Sequence, residues 1–185
     1  GRSYRLDAHT LPSARGQGEP LTSLLKPAGG ASFVNVLMGQ DDSKLIMASS
    51  QGYGFINTFA DLDTNQKAGK NVINFDDACR LITHQIGEQD TLVGVVSSAG
   101  HLLVYPLTEL KKKKKGKGNK LIDLKDGDSV VAITTFAEGD SLVLDSGKRT
   151  LTLKPMDIAN FMGTRGRRGA LLPKGFQKVS GVQKI

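Results

Sequence analysis

The chain has 185 residues, 38% of them hydrophobic and 5% aromatic, with no Trp and a formal net charge of +7 from 25 Lys and Arg against 18 Asp and Glu. That is enough apolar material for one compact domain or one array of repeats, and no apolar run approaches the roughly eighteen residues of a membrane span. Cys79 is the only cysteine, so an internal disulfide framework is excluded and a reduced, buried thiol is expected.

In chain order, Gly1 opens an apolar-alternating run that closes near Leu11, followed by a first basic segment, 13–21, whose one cation is Arg15. The Gly at position 1, in place of Met, and the lack of a signal-like opening suggest a piece cut from a longer protein. "ASFVNVLM" (31–38) reads as a strand, "GQDDS" as an acidic turn and "KLIMASS" (44–50) as a second strand. Gly52 marks a turn, and the next alternating run closes near Leu62. A second basic segment, 65–75, holds Gln66, Lys67 and Lys70. The same order then recurs twice. "ACRLITHQI" (78–86), "GEQD", "TLVGVVSS" (91–98), Gly100 and a run to Leu110 lead into 111–120. "SVVAITTF" (129–136), "EGD", "SLVLDS" (141–146), Gly147 and a run to Ile158 lead into 163–178. "KVSGVQKI" (178–185) resembles an opening strand. No long 3.6-residue periodicity interrupts the pattern.

The order is therefore a repeat. Its glycine turns fall at Gly1, Gly52, Gly100 and Gly147, and Arg15, Lys67, Lys117 and Arg167 recur at the same step. A period of about 50 residues signals a propeller-like or solenoid array. We expect an all-β fold of antiparallel, four-stranded blades, divided into a partial blade (1–30), three blades (31–77, 78–128 and 129–177) and a strand (178–185) that closes or starts another. Closure of this kind protects sheet edges.

Charge follows the repeat. The four basic segments carry fifteen of the 25 cations and one acid, Glu19, which leaves the rest of the chain acidic, with ten cations against seventeen acids. Cations gathered into periodic loops on an acidic body point to a polyanion-binding surface. Solubilising loops are the alternative, but those normally mix both signs.

The stretches "LPSARGQGEPLT" (11–22), "KGKGNKLIDL" (115–124) and "GRRGALLPKGFQKV" (166–179) resemble the basic boxes of the C-terminal β-pinwheel domain of the gyrase and topoisomerase IV A subunits. The resemblance spans essentially the whole chain. It implies a propeller-like disc whose basic rim binds and bends duplex DNA without reading sequence. The DNA-contacting residues it implies are Arg15, Gln66, Lys67, Lys70, Lys111, Lys112, Lys113, Lys114, Lys115, Lys117, Lys120, Arg165, Arg167, Arg168 and Lys174. No segment keeps the full box, since "NQKAGKN" (65–71) has Ala68 where the pattern has Arg or Gly. Worn boxes favour the topoisomerase IV branch over a gyrase DNA-wrapping domain. The resemblance further implies a cytoplasmic, nucleoid-associated protein that joins a B subunit in an A2B2 holoenzyme serving decatenation and relaxation, with chromosome condensin as a further partner. ATP and magnesium would be used by other domains, and the chain itself would carry no cofactor and no catalytic residue.

The chemistry of the residues agrees. Lys and Arg neutralise phosphates with release of counterions, and glycines such as Gly166 and Gly169 would let the backbone approach an anion. The lysine run 111–115 reads as a mobile tip that attracts DNA at long range. Phe161 and Phe176 beside the last loop could stack bases, but packing is the better expectation. His9, His84, His101 and Cys79 lack metal-ligand spacing, and "AGKN" and "SGKR" fail the phosphate-loop template. Tyr4, Tyr53 and Tyr105 each follow a glycine turn and read as packing residues. Two other readings compete: a propeller-like scaffold binding an acidic protein partner, and RNA binding through the Arg-Gly loop.

Overall fold

The structure, a computed structural model, describes residues 1–13, 15–76 and 78–185. Ala14, in the first basic segment, and Asp77, the last residue of the 31–77 division, lie outside the described residues.

The strands are β1 (Arg2–Ser3), β2 (Lys44–Ser49), β3 (Tyr53–Thr58), β4 (Lys70–Asn71), β5 (Leu81–Gln85), β6 (Leu92–Ser97), β7 (His101–Pro106), β8 (Asn119–Lys120), β9 (Val130–Phe136), β10 (Leu142–Ser146), β11 (Arg149–Leu153), β12 (Ala170–Leu171) and β13 (Gly181–Lys184). The runs read as strands at 44–50, 78–86, 91–98, 129–136, 141–146 and 178–185 each contain one. The helical content is confined to single turns such as Leu21–Leu24, Phe59–Leu62 and Pro155–Ile158. In the last of these Pro155 sits at the first position and the Asp157 carboxylate accepts the Lys154 N–H at 3.0 Å.

Three antiparallel sheets run β5-β2-β3-β8, β12-β7-β6-β9 and β11-β10-β13, and β1 pairs with β4 alone. Each sheet is built on a hairpin, β2-β3, β6-β7 or β10-β11, closed at Gly52, Gly100 or Gly147. The strand on one side of the hairpin is the opening strand of the following repeat: Leu45 faces Gln85, Leu92 faces Phe136 and Leu142 faces Lys184. The strand on the other side comes from still further on: Ser3 faces Lys70, Gly54 faces Asn119 and Leu102 faces Ala170. The first full sheet thus draws on residues 44–120 and the second on 92–171, so consecutive sheets interleave in sequence. The contiguous divisions 31–77, 78–128 and 129–177 cut across these sheets. The period gives the repeat length and is silent on which neighbour each strand joins.

"ASFVNVLM" (31–38) forms no strand. The equivalent runs β5, β9 and β13 each pair with the hairpin of the repeat before, and among the described residues no hairpin stands at the corresponding place ahead of 31–38. Val34, Val36 and Met38 are exposed, and Asn35 reaches Thr83 Oγ1 at 2.7 Å.

The sheets pack face to face. β2 and β6 are buried on both sides, because alternate side chains serve different neighbours. Leu45 and Met47 of β2 pack with Phe55, Val72 and Ile73, whereas Ile46 and Ala48 pack with Val93 and Val95 of β6. On its other face β6 gives Leu92 and Val96 to a layer with Leu142, Leu144 and Leu153. Burying each such side chain is worth about 1.5–3 kcal/mol, so the interfaces hold the sheets as one body. β5 contacts β9 and β9 contacts β13, so these three lie at the inner edges and β8 and β12 at the outer edges.

A buried polar junction ties the inner strands. Thr135 N–H donates to His84 Nε2 at 2.9 Å, and the Thr135 hydroxyl donates to Asp90. Asp90 also accepts the Gly87 N–H at 2.8 Å and pairs with Lys184 of β13. Burial holds the His84 ring below its ordinary pKa. For Asp90 burial alone would raise the pKa, but donors led by Lys184 and Thr135 bring it below the usual carboxylate range.

Candidate nucleic-acid interface

Three of the four basic segments, 65–75, 111–120 and 163–178, occupy outer sheet edges. β4 and β12 lie within 65–75 and 163–178, β8 closes 111–120, and each is docked on the strand that leaves the glycine turn of the repeat before. The docking explains the loop glycines. Gly118 has φ +87°, and a Cβ there would lie 2.4 Å from the Gly54 carbonyl oxygen; Gly169 has φ +80° and stands in the same relation to the Leu102 oxygen. Only glycine allows that approach at that conformation. The expectation that Gly166 and Gly169 open the backbone to an anion is corrected accordingly: Gly169 is spent on β7, and the Gly166 N–H donates to Leu121 O at 3.0 Å.

Successive basic segments also bond to one another. Lys26 N–H, just beyond the first, donates to Lys67 O at 2.9 Å, and Arg2 Nη1 donates to the carbonyls of Ala68 and Gly69. Gly116 N–H donates to Val72 O, and Gly116 O accepts from Asn74 N–H. Asp123 N–H donates to Arg167 O at 2.9 Å, and Arg165 Nη1 donates to Lys120 O. The chain of contacts runs from residue 26 to residue 167, so segments 65–75, 111–120 and 163–178 form one continuous basic edge.

The predicted cations, Arg15 outside that edge and the rest along it, fall into two groups. Arg15, Lys67, Lys111, Lys112, Lys115, Arg167 and Lys174 are exposed, and among the described contacts their charged ends meet no carboxylate. Gln66 is exposed as well. The others, Lys113 apart, are engaged. Lys70 Nζ donates to Asp61 O at 2.8 Å, Lys114 stands 4.0 Å from Asp61, Lys117 lies over the Tyr53 ring, and Lys120 pairs with Asp123. That pairing raises the Lys120 pKa and lowers that of Asp123. Arg165 and Arg168 are half-buried, Arg165 with its backbone N–H on the Glu109 carboxylate and Arg168 with Nε on His101. Lys113 is half-buried too.

The lysine run is not a loose tip. Ile56 N–H donates to Lys111 O at 3.0 Å, Lys113 N–H to Ile56 O at 2.9 Å, and Asn57 Nδ2 to Lys114 O. The main chain of 111–114 is therefore held along the outer edge of β3, and the charged ends alone are free to sample. Phe161 is buried in the core, and Phe176 is half-buried beneath the Arg149 guanidinium. Tyr105 is fully buried and its pKa is pushed well up by burial. Arg2, Arg149 and His101 are rim residues that sequence reasoning passed over. Arg2 and His101 directly follow the turn glycines Gly1 and Gly100, and Arg149 stands two residues past Gly147; these positions were the available signal.

Comparison with known proteins agrees with this architecture. A family described as the DNA gyrase C-terminal domain, beta-propeller, matches residues 43–79 and 92–137, two successive repeats. The A subunit of DNA topoisomerase 4 from Pseudomonas aeruginosa is 43% identical over 192 aligned positions, and that from Escherichia coli 38% over 190. These alignments take in 98% and 99% of this chain and 25% of each relative, so the chain spans about a quarter of their length. The solved structure of the E. coli ParC C-terminal domain superposes with a TM-score of 0.90 at 38% identity, covering all of this chain and 78% of that one. The DNA gyrase A C-terminal domain shares the fold, with a TM-score of 0.72 at 18% identity over 92% of this chain and 59% of that one. The ParC domain, 38% identical and covered over 78% of its own length, decides the matter: the chain belongs to the family of C-terminal β-propeller domains of the topoisomerase IV A subunits.

Proposed function

We propose that this domain binds duplex DNA along its basic outer edge, without sequence preference, and bends it. The observation that carries the reading is the continuity of the edge, in which three basic segments are joined by main-chain hydrogen bonds and present exposed cations from Lys67 to Lys174. Duplex DNA carries one charge per ~1.7 Å of axis, and because the sheets meet through their inner strands β5, β9 and β13, a duplex that follows their outer edges would have to turn. Bending a 20–30 base-pair site by 40–90° costs on the order of 1–6 kcal/mol, which distributed phosphate contacts offset. The edge offers loops and two-residue strands rather than a helix for the major groove, which favours backbone contact over base readout.

In the full-length protein such a domain would guide DNA for decatenation and relaxation, in an A2B2 assembly with a B subunit and in contact with chromosome condensin. The domain itself would need no cofactor, and ATP, magnesium and strand cleavage would belong to other parts of the holoenzyme. The test is a 30-base-pair duplex of mixed sequence labelled at both ends for energy transfer. Binding should shorten the end-to-end distance by a similar amount for unrelated sequences. Binding with no change in that distance, or binding confined to one sequence, would contradict the reading.

A further inference from the structure

His101 opens β7, the strand on which β12 is docked, and its Nε2 accepts a hydrogen bond from Arg168 Nε at 3.0 Å. A ring nitrogen that accepts carries no proton, so this imidazole is neutral, with its hydrogen on Nδ1. Among the described residues neither His101 Nδ1 nor Arg168 Nη1 has a hydrogen-bond partner, although both atoms are enclosed. The half-buried guanidinium is thus held back against β7 while its neighbour Arg167 is exposed.

Arg168 comes from the segment leading into β12, and Lys125 and Asp128 come from the turn ahead of β9. Asp123 lies within the field of Arg168. From β6, Ser97 Oγ receives the His101 N–H at 3.4 Å, and Gln177, uncharged, packs against Gly100. Burial foremost, then Arg168, holds the ring below its ordinary pKa; Asp128 acts the other way and Lys125 adds to the depression. A phosphate backbone arriving at this edge reverses the balance. It offers Arg168 a stronger acceptor than a neutral ring, and it favours a charged imidazole beside it.

We propose that His101 is a proton-linked member of the DNA-binding edge: neutral, it retains Arg168 against β7, and protonated, it releases Arg168 to the phosphates and adds a cation of its own. This rests on the DNA-binding reading above. It makes DNA affinity depend on pH where lysine and arginine alone would not, since those stay charged throughout. One linked proton raises affinity by at most about tenfold per pH unit. Two newly available cations steepen the salt dependence by about 1–2, at ~0.9 per phosphate contact.

The experiment titrates a 30-base-pair duplex with the protein at about pH 7.5 and about pH 5.5, for the unaltered chain, His101→Gln and Arg168→Ala. His9→Gln serves as a control for the exposed histidine. Gln offers Arg168 an acceptor but takes no proton. The unaltered protein and His9→Gln should gain about tenfold in affinity on acidification. His101→Gln should lose that gain, and Arg168→Ala should keep part of it. An NMR titration of the His101 ring, which reads only folded protein, should show its pKa rising when duplex is added. An equal gain in His101→Gln, or a ring pKa indifferent to DNA, overturns the proposal. Absence of salt-sensitive binding at about pH 7.5 would overturn instead the DNA reading beneath it.

Discussion

Replacing Gly118 by Ala tests whether the loop glycines serve docking. Gly118 has φ +87°, and the new Cβ would stand 2.4 Å from Gly54 O, a main-chain atom with no room to retreat. Gly127 has nearly the same conformation, φ +81°, in open space. Both variants meet the left-handed penalty of roughly 1–2 kcal/mol. Gly118→Ala in addition displaces β8 from β3, which puts at risk the Tyr53–Lys120 and Gly54–Asn119 pairings and the 2.7 Å bond from Leu121 N–H to Gly52 O. At about 0.5–1.5 kcal/mol net for each bond lost, Gly118→Ala should be less stable than Gly127→Ala by roughly 2–3 kcal/mol. For a chain of this size that is a difference in melting temperature of about 6–10 °C. Calorimetry measures it, and hydrogen exchange at Leu121 and Ile122 shows whether β8 has detached. Equal melting temperatures with unchanged exchange would refute the docking argument.

Arg167→Ala should weaken DNA binding and reduce the salt slope by about 0.9, as for one lost phosphate contact, with no change in melting. Arg165→Ala should instead lower the melting temperature, because its guanidinium bridges to Lys120 O. Titration and calorimetry on the same samples separate the two. His84 accepts the Thr135 N–H and has a depressed pKa, so its contribution to stability is fully present above the ordinary 6.5 and is lost as pH falls toward the lower folded value. Melting temperature should therefore drop with acidification below that point, and less so in His84→Gln. Lys184→Met removes a partner from Asp90, whose side chain is 1% exposed. It should cost about 1–3 kcal/mol, read by urea denaturation, and Asp90→Asn in the same background should recover part of that loss.

The strands flanking the glycine turns were legible because β-branched runs such as "TLVGVVSS" are bounded by residues that break pairing. Their partners were not legible. Leu45 finds Gln85 and Gly54 finds Asn119 at separations that the repeat period does not encode. "ASFVNVLM" has the composition of a strand, but strand composition records a preference that only a partner realises. In the candidate site, the charge of the loops could be read directly. The division of cations into exposed and engaged could not, since Lys70 and Arg165 are held by main-chain carbonyls, which every residue possesses. For the same reason the main-chain anchoring of Lys111 and Lys113 to Ile56 left no trace in the sequence.

A row of exposed cations that neutralises the phosphates of duplex DNA must release counterions on binding. The salt dependence of affinity for one mixed-sequence duplex, followed between about 50 and 200 mM monovalent salt, measures this most directly. With six phosphates neutralised by the exposed set, log K should fall against log salt with a slope of about −5 at ~0.9 per contact. A slope shallower than about −2 would leave most of those cations without phosphates, and this edge would not be the one that holds DNA.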